Sequence, residues 1–441
     1  MGSNRQIWLR FFCVILLLGS LPHARPSQVP ETARQTPREH QLDLDSFEQV
    51  WKTVYEKHFD PTWGGVDWKA VHAEFRPRME ATKSRREARA VIRTMLSRLK
   101  LTHFNLIPSE LYGDLSRPDA GRGEPGATGI HLRVIDGRAL VISVRPGSPA
   151  EQAGVRPGWE ILQIGKKEIA PQLVAAAREF EGNTLKELVL TDVVAGRLEG
   201  IKGDSLALSL LDGTGQTVHH SLVLAEPRGT KFQIGNLPPV RVWFEQKTVG
   251  PGIGYFAFDI FIAPGILMPA FNNAMKAFMN APGLILDLRG NGGGQGEIAC
   301  GMSGWLVSEK GRDLGTIRTR EDTLKMIVRP RPEVYPGPVA VLVDGLSLCG
   351  AEIFAGGLRD LGRARIFGTR TGGAALGGSI ERLPNGDGFM YAFANHVTAG
   401  GRVLEGNGLV PDVLVQHTRE ALLQGRDLIL EAAIDWIRNL K

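Results

Sequence analysis

Residues 341–360 read VLVDGLSLCGAEIFAGGLRD, and the order of residue types in this stretch decides what kind of fold the chain adopts. Val339, Val341, Leu342 and Val343 form a short apolar, β-branched run of the kind that fills a buried strand. Gly345 and Gly350 permit a tight turn, and Ile353, Phe354, Gly357 and Leu358 then recur at helical spacing. Strand, sharp turn and helix therefore follow one another directly. Cys349 falls on the turn at the start of the helix, where backbone N–H groups and the helix dipole favour an anion. A thiol in that position is a candidate nucleophile.

The surroundings extend the same pattern. Residues 252–261 (GIGYFAFDIF) and 283–290 (GLILDLRG) read as strands, the second continuously apolar as in a parallel sheet buried on both faces. Helices are predicted over Pro269–Met279 and from about Gly296 to Val307. Alternating strands and helices from about Val240 to Lys441 argue for an α/β core rather than a sandwich. The second strand ends in Arg289-Gly290-Asn291-Gly292-Gly293-Gly294. Glu297 breaks the G-x-G-x-x-G pattern and no Gly-Lys-Ser/Thr follows, so this is neither nucleotide fingerprint. A glycine turn into a helix is one reading; an oxyanion hole, which needs N–H groups facing one point, is the other.

The 441 residues carry a net charge of +5, with 43% hydrophobic and 22% charged residues, an ordinary globular composition with room for several domains. No Lys/Arg block marks a nucleic-acid tail, so nucleic acid is set aside. Arg5 and Arg10, the apolar run Phe11–Leu18 and the small residues Gly19 and Ser20 lay out an export signal over residues 1–27. That run is short for a membrane span, which takes about 20 apolar residues. An uncleaved N-terminal anchor is the lesser reading, and a periplasmic or extracellular location the main one. Residues 28–41, rich in Pro, Gln, Thr and Arg, read as a disordered leader. Helices follow: one capped by Asp45 or Ser46 with Phe47, Val50, Trp51, Val54 and Tyr55 on its apolar face, one over about Asp67–Ala81, and one from about Ser84. They define a helical N-terminal domain over residues 42–120.

From Gly126 short strands and glycine turns take over. GIHLRV (129–134) and GSPAEQAGVRPGWEIL (147–162) resemble a PDZ domain, expected over residues 126–226. The resemblance implies β-augmentation, in which an extended peptide adds a strand at a sheet edge and its carboxylate is held by the loop at Thr128, Gly129 and Ile130. A mostly helical stretch between Pro171 and Gly200 reads as an insertion that alters or covers the groove.

DLRGNGGG from Asp287, with Cys349-Gly350-Ala351-Glu352, resembles the carboxyl-terminal-processing (tail-specific) peptidases, whose wider family includes the tricorn core protease and the interphotoreceptor retinoid-binding protein repeats. The likeness covers nearly the whole chain after the signal. It implies a multidomain α/β protein: helical N-terminal domain, PDZ domain, and a ClpP/crotonase-like α/β peptidase core over residues 235–441. In that family the nucleophile is a serine three residues before the glutamate that opens the helix. Glu352 is that glutamate, which puts Cys349 in the serine's place and leaves Ser347 as the rival. One branch of the family takes its base from a lysine in a segment matching GTRTGGAALGG (368–378). Ala374 stands there, so a lysine base is excluded. The other branch takes a histidine after the last helix of the N-terminal domain, and Thr102-His103, directly after Leu99-Lys100-Leu101, matches it. That branch also uses a late glutamate, for which Glu405 in VLEGNG (403–408) is the match.

The resemblance thus implies an exported endopeptidase acting on extended or C-terminal peptide segments, with Cys349, His103 and Glu405 catalytic and an oxyanion hole from Gly350 and Gly293 or Gly294. No metal or other cofactor is expected. Each assignment has a plainer counterpart: His103 as a half-buried residue at a domain junction, Glu405 as a loop carboxylate satisfied by glycine N–H groups, His396 as a rival base. Asp287 and Asp360 read as structural. Cys300 and Cys349 are the only cysteines after the signal, so a disulfide between them is the alternative to a free nucleophile. A catalytically inactive relative, serving as a peptide-binding scaffold or ligand carrier, is the alternative to the enzyme.

Overall fold

The computed structural model describes residues 35–109, 123–233 and 239–440. The export signal lies outside these residues, as do residues 28–34 of the expected leader. From Pro37 onward that leader is helical. Helix α1 (Pro37–Lys57) begins at a capping box: Thr36 Oγ1 accepts the Glu39 N–H, the Glu39 carboxylate accepts the Thr36 N–H at 2.8 Å, and Pro37 takes the first helical position. Asp45 and Ser46, expected as caps, lie inside the helix, where Ser46 Oγ donates to the Leu42 carbonyl. Helices α2 (Trp68–Glu80) and α3 (Arg85–Leu96) pack with α1 around Phe47, Val50, Trp68, Phe75 and Ile92. Strand β1 (Asn105–Ile107) follows.

Residues 126–226 form an antiparallel sheet in the order β2 (Ile130–Ile135), β3 (Arg138–Val144), β4 (Glu160–Ile164), β5 (Ser205–Leu211), β6 (Thr217–Val223). Between β4 and β5 run helices α4 (Ala170–Glu179) and α5 (Lys186–Ala195). These are no appendage: Leu173, Leu190 and Val194 share a core with Leu132, Val141 and Leu208. Strand β2 is the edge of this sheet, and α5 lies against it.

From Phe244 the chain alternates through β7 (Phe244–Val249), β8 (Ile253–Phe258), α6 (Pro264–Ala277), β9 (Leu284–Asp287), α7 (Gly296–Ser303), β10 (Asp313–Thr319) and β11 (Thr323–Ile327). Then come β12 (Val339–Val343), α8 (Gly350–Asp360), β13 (Arg365–Gly368), β14 (Leu376–Arg382), β15 (Gly388–Thr398), β16 (Val413–Leu414) and α9 (Leu428–Arg438). The main sheet has the order β7-β8-β9-β12-β13-β16, parallel except for β7. Leu284 and Leu286 of β9 face α6, α7 and α8, whereas Ile285 faces α9. Both faces are covered, which is why the strand reads as continuously apolar.

A second sheet joins the N-terminal helices to this core. β1 pairs with β15, which also pairs with β10 and β14. Leu383, Phe389 and Tyr391 complete the helical core, so the helical segment is not closed by itself. Arg89 of α3 makes a buried, two-pronged ion pair with Asp387 in the β14–β15 turn, Nε to Oδ2 at 2.9 Å and Nη2 to Oδ1 at 2.7 Å. Removing one partner strands the other charge in the interior. Arg89→Ala is expected to cost roughly 3–5 kcal/mol, read as a lower urea midpoint with an unchanged slope; an unaltered midpoint would show that the pair is not what docks α3 to the turn.

Candidate active site

Cys349 sits between β12 and α8 with φ 47° and ψ −109°, a conformation that side chains rarely adopt. The surrounding hydrogen bonds hold it there. Leu348 N–H donates to the Asn291 carbonyl at 2.9 Å, tying the turn to the glycine loop. Cys349 N–H donates to Glu352 at 2.9 Å, and the same buried carboxylate accepts the Gly373 and Ala374 N–H groups, each at 2.9 Å, and the Thr371 hydroxyl. Burial pushes Glu352 up to about 7 against these four donors. Glu352 thus braces the turn from beneath and fixes the segment where one branch of the resembled family carries its lysine. Ser347 is used structurally: its hydroxyl donates to the Leu288 carbonyl at 2.7 Å and accepts the Asp344 N–H at 3.0 Å.

The glycine loop lies against the thiol's backbone. A Cβ on Gly293 would stand 2.7 Å from Cys349 Cβ, so only glycine fits. Gly293 N–H donates to Asn291 Oδ1 at 2.9 Å, which removes it as an oxyanion donor. The amides of Gly294 and Gly350 have no acceptor among the described residues, and a Cβ on Gly350 would lie 3.2 Å from Gly294 N. These two N–H groups are the pair available beside Cys349.

His103 is buried in the left-handed region, φ 60°. Its Nδ1 lies 2.6 Å from Thr102 Oγ1, and Thr102 Oγ1 in turn donates to Glu405 Oε2 at 3.0 Å. Thr102 N–H donates to Glu405 Oε1 at 2.8 Å. In this network Nδ1–H donates to the threonine oxygen, leaving Nε2 as the basic nitrogen. Burial lowers the imidazole to about 3, so it is neutral at physiological pH. Thr102 is the link that sequence reasoning missed; its hydroxyl directly before the histidine was the only local signal.

One strand start gathers these groups. Ala375 N–H donates to Glu405 at 3.0 Å, Cys349 Sγ lies 3.8 Å from the Leu376 carbonyl, and a Cβ on Gly378 would touch His103 Cδ2 at 3.1 Å. Leu376 and Gly378 are two positions apart along β14, about 7 Å. Nucleophile candidate, imidazole and carboxylate therefore meet along four consecutive residues.

The rivals fall elsewhere. His396 pairs across β15 with Ile317 and lies near Asp313 and Asp360, with burial lowering it to about 4. Asp360 ends the helix that Gly350 begins, so His396 is removed by the helix length of about 16 Å. Cys300 is a free thiol pushed up to about 12 by burial, so the Cys300–Cys349 disulfide is not formed. Asp287 accepts the Tyr255 hydroxyl and pairs with Arg289, which also binds Asp427. Asp360 holds Gly400 N–H and Arg402. The expected carboxylate loop offers little: Thr128 N–H donates to the Leu198 carbonyl and Ile130 N–H to Thr128 Oγ1, which leaves Gly129 N–H alone.

Helix α5 reaches from the antiparallel domain onto the site, where Leu188 packs against Leu348, Cys349 and Ala374. Beside it Glu187 crowds Gly345. Burial and the Asp344 charge push Glu187 up to about 7, while Arg133, paired with Asp344 at 2.8 Å, pulls it down. A carboxyl raised in the folded state stabilises fully below its unfolded value near 4.5, and that stabilisation is lost as pH rises through about 7. Thermal stability should therefore fall between pH 5 and 8, by on the order of 1–3 kcal/mol from this group. Glu187→Gln should flatten the slope; an unchanged slope would remove Glu187 as its source.

Residues 252–415 match the model of peptidase family S41, and residues 44–97 match the tricorn protease C1 domain. Both matches, with carboxyl-terminal-processing proteases among the relatives, support the carboxyl-terminal-processing, or tail-specific, peptidase family. It is 26% identical over 441 residues to a carboxyl-terminal-processing protease of Synechocystis sp., covering 99% of this chain and 94% of that relative. A carboxyl-terminal-processing protease of Picosynechococcus sp. is 27% identical over 402 residues, 89% of each chain. Among solved structures, the photosystem II D1 C-terminal processing protease superposes with a TM-score of 0.55 at 22% identity, over 86% of this chain and 94% of its own. Mature CPAF complexed with lactacystin gives 0.60 at 14% identity, over 91% and 98%. At these identities the superpositions carry the fold alone. Among the described residues no helix is long and apolar enough to cross a membrane.

Proposed function

We propose that this chain is an exported endopeptidase that cleaves protein substrates at extended or C-terminal segments, through a thioester on Cys349. The observation that carries the reading is the convergence of Cys349, the Thr102–His103–Glu405 chain and the Gly294 and Gly350 amides at the start of β14. With Cys349 in its reduced form, His103 Nε2 takes the Sγ proton as sulfur attacks the scissile carbonyl carbon. The oxyanion forms against Gly294 N–H and Gly350 N–H, and the imidazolium returns the proton to the leaving amine as the C–N bond breaks. Water, deprotonated by the same nitrogen, then attacks the thioester and releases the carboxylic acid and the thiol.

A neutral imidazole favours proton transfer during attack over a resting thiolate–imidazolium pair. Thr102 and Glu405 act as positioning residues: they hold Nδ1 protonated, which makes Nε2 the basic nitrogen. The antiparallel domain, PDZ-like in sequence, takes an incoming strand along β2, the edge of its sheet, beside α5. The export signal in the sequence supports a site of action outside the cytoplasm. Incubation of the purified protein with unfolded casein and a panel of synthetic peptides, with products identified by mass spectrometry, tests the reading. Internal peptide-bond cleavage is expected; intact substrates throughout would sink it and favour the scaffold.

A further inference from the structure

We propose that Asn291 is the positioning residue of the oxyanion hole: its carboxamide and its backbone carbonyl together hold the Gly294 and Gly350 N–H groups in register beside Cys349. The inference deepens the peptidase reading and rests on it, since the hole matters only if Cys349 adds to a carbonyl group. Asn291 lies in the glycine loop after β9 and is fully buried.

Asn291 is bonded in four directions. Nδ2 donates to the Phe258 carbonyl at 2.9 Å, Oδ1 accepts the Gly293 N–H at 2.9 Å, the backbone N–H donates to the Leu288 carbonyl at 3.0 Å, and the backbone carbonyl accepts the Leu348 N–H at 2.9 Å. These partners fix the amide orientation, because a peptide N–H only donates and a carbonyl only accepts. One residue thus joins the end of β8, the glycine loop and the residue before the nucleophile. Phe261 N–H donates to the Gly293 carbonyl at 2.7 Å. Across a trans peptide the N–H points opposite to the C=O, so Gly294 N–H is turned away from Phe261. With φ 84° at Gly293 and 133° at Gly294, the glycine backbone itself resists rotation poorly. The bond from Gly293 N–H to Asn291 Oδ1 supplies that resistance. On the other side, the Asn291 carbonyl holds Leu348, two residues before the Gly350 amide.

The neighbouring side chains brace the approaches instead. Asp344 accepts the Gly290 N–H at 2.8 Å and the Leu346 N–H at 3.0 Å, and Ser347 Oγ donates to the Leu288 carbonyl at 2.7 Å. Among the described residues, Asn291 supplies the one side-chain acceptor for an amide of residues 291–294. The position calls for a neutral amide. An ionised carboxyl there would keep the Gly293 bond, but it would set a negative charge against the Phe258 carbonyl and near the developing oxyanion. A protonated carboxyl, with one donor and one acceptor, would reproduce both side-chain bonds.

The test separates addition to a carbonyl from simple thiol reactivity. Native, Asn291→Ala and Asn291→Asp proteins are reduced with a dithiol, freed of it, and compared in cleavage of an internally quenched peptide, in inhibition by an acetylated apolar tripeptide aldehyde, and in alkylation of Cys349 by iodoacetamide, located by mass spectrometry. In the aldehyde adduct a C–S bond forms, the carbonyl π pair moves onto oxygen and the Sγ proton passes to His103 Nε2, so the oxygen occupies the hole. Iodoacetamide loses iodide from a tetrahedral carbon and builds no oxyanion. Asn291→Ala is expected to weaken aldehyde binding and lower kcat by about tenfold to hundredfold, less than outright loss of a donor, with KM and the alkylation rate held within about twofold. Asn291→Asp should approach native aldehyde affinity at acidic pH, where its carboxyl is protonated, and the ratio to native should fall as pH rises and the carboxyl ionises. If the alanine variant does not fold, that pH dependence carries the test. Unaltered aldehyde affinity in Asn291→Ala, or a ratio for Asn291→Asp that does not change with pH, would overturn the role of Asn291 and leave the peptidase reading standing. A native protein that is alkylated at Cys349 but neither binds the aldehyde nor cleaves the peptide would overturn the peptidase reading, and the role of Asn291 with it.

Discussion

Cys349→Ala is expected to lower kcat/KM for peptide cleavage by ~10⁴-fold or more, the scale on which an enzyme loses activity with its nucleophile. What remains is the contribution of substrate binding and the two amides. Cys349→Ser should retain more activity than the alanine variant, since a hydroxyl at the same turn still faces a neutral base. Both substitutions inherit the strained backbone at φ 47°, so neither relieves it and the thermal midpoint should barely move. The measurement is initial rate on an internally quenched peptide, with circular dichroism melting as the control for folding. Alanine and native proteins cleaving at equal rates would remove the thiol from the mechanism.

His103→Ala comes next in size, with an expected fall of ~10²–10⁴-fold in kcat, the usual worth of a positioned base. Thr102→Val should act in the same direction but less, on the order of tenfold to hundredfold on kcat with KM little changed. The role proposed for its hydroxyl is to hold the Nδ1 proton and pass the hydrogen bond to Glu405. Thr102→Ser should therefore restore most of the loss, which a purely packing role would not predict. Because burial holds His103 near 3, iodoacetamide labelling of Cys349 should show no thiolate plateau in the mildly acidic range. A plateau there would mean a resting ion pair and a different first step.

The elbow was legible in the sequence because everything that makes it is local: an apolar strand, two glycines, a thiol and a helix-opening glutamate within a single turn. The choice between Gly293 and Gly294 was not, since it depends on the Asn291 side chain taking one of the two amides. Thr102 stayed hidden for the opposite reason. Its role exists only once Glu405, distant in sequence, arrives beside it. The start of α1 was misplaced by composition: a Pro- and Gln-rich stretch outweighed the Thr36–Glu39 capping box inside it. The pairing of β1 with β15, which fuses the helical segment to the core, leaves no periodic trace in either strand. The helical stretch 170–195 looked like an insertion because a gap in a sequence pattern carries no information about packing, yet Leu190 and Val194 build the core of that domain.

The base and its carboxylate stand near opposite ends of the chain, with the thiol between them, and all three meet on one strand start. A polypeptide leaving the ribosome has His103 early, Cys349 late and Glu405 later still. No partial product shorter than 405 residues contains the whole constellation, and a chain cut short before β14 lacks even the strand on which it forms. If these three groups are the catalytic set proposed above, the protein is chemically silent through most of its own synthesis. On the proposed mechanism it gains the means to hydrolyse peptide bonds only after Glu405 has joined the strand start, late in its own synthesis.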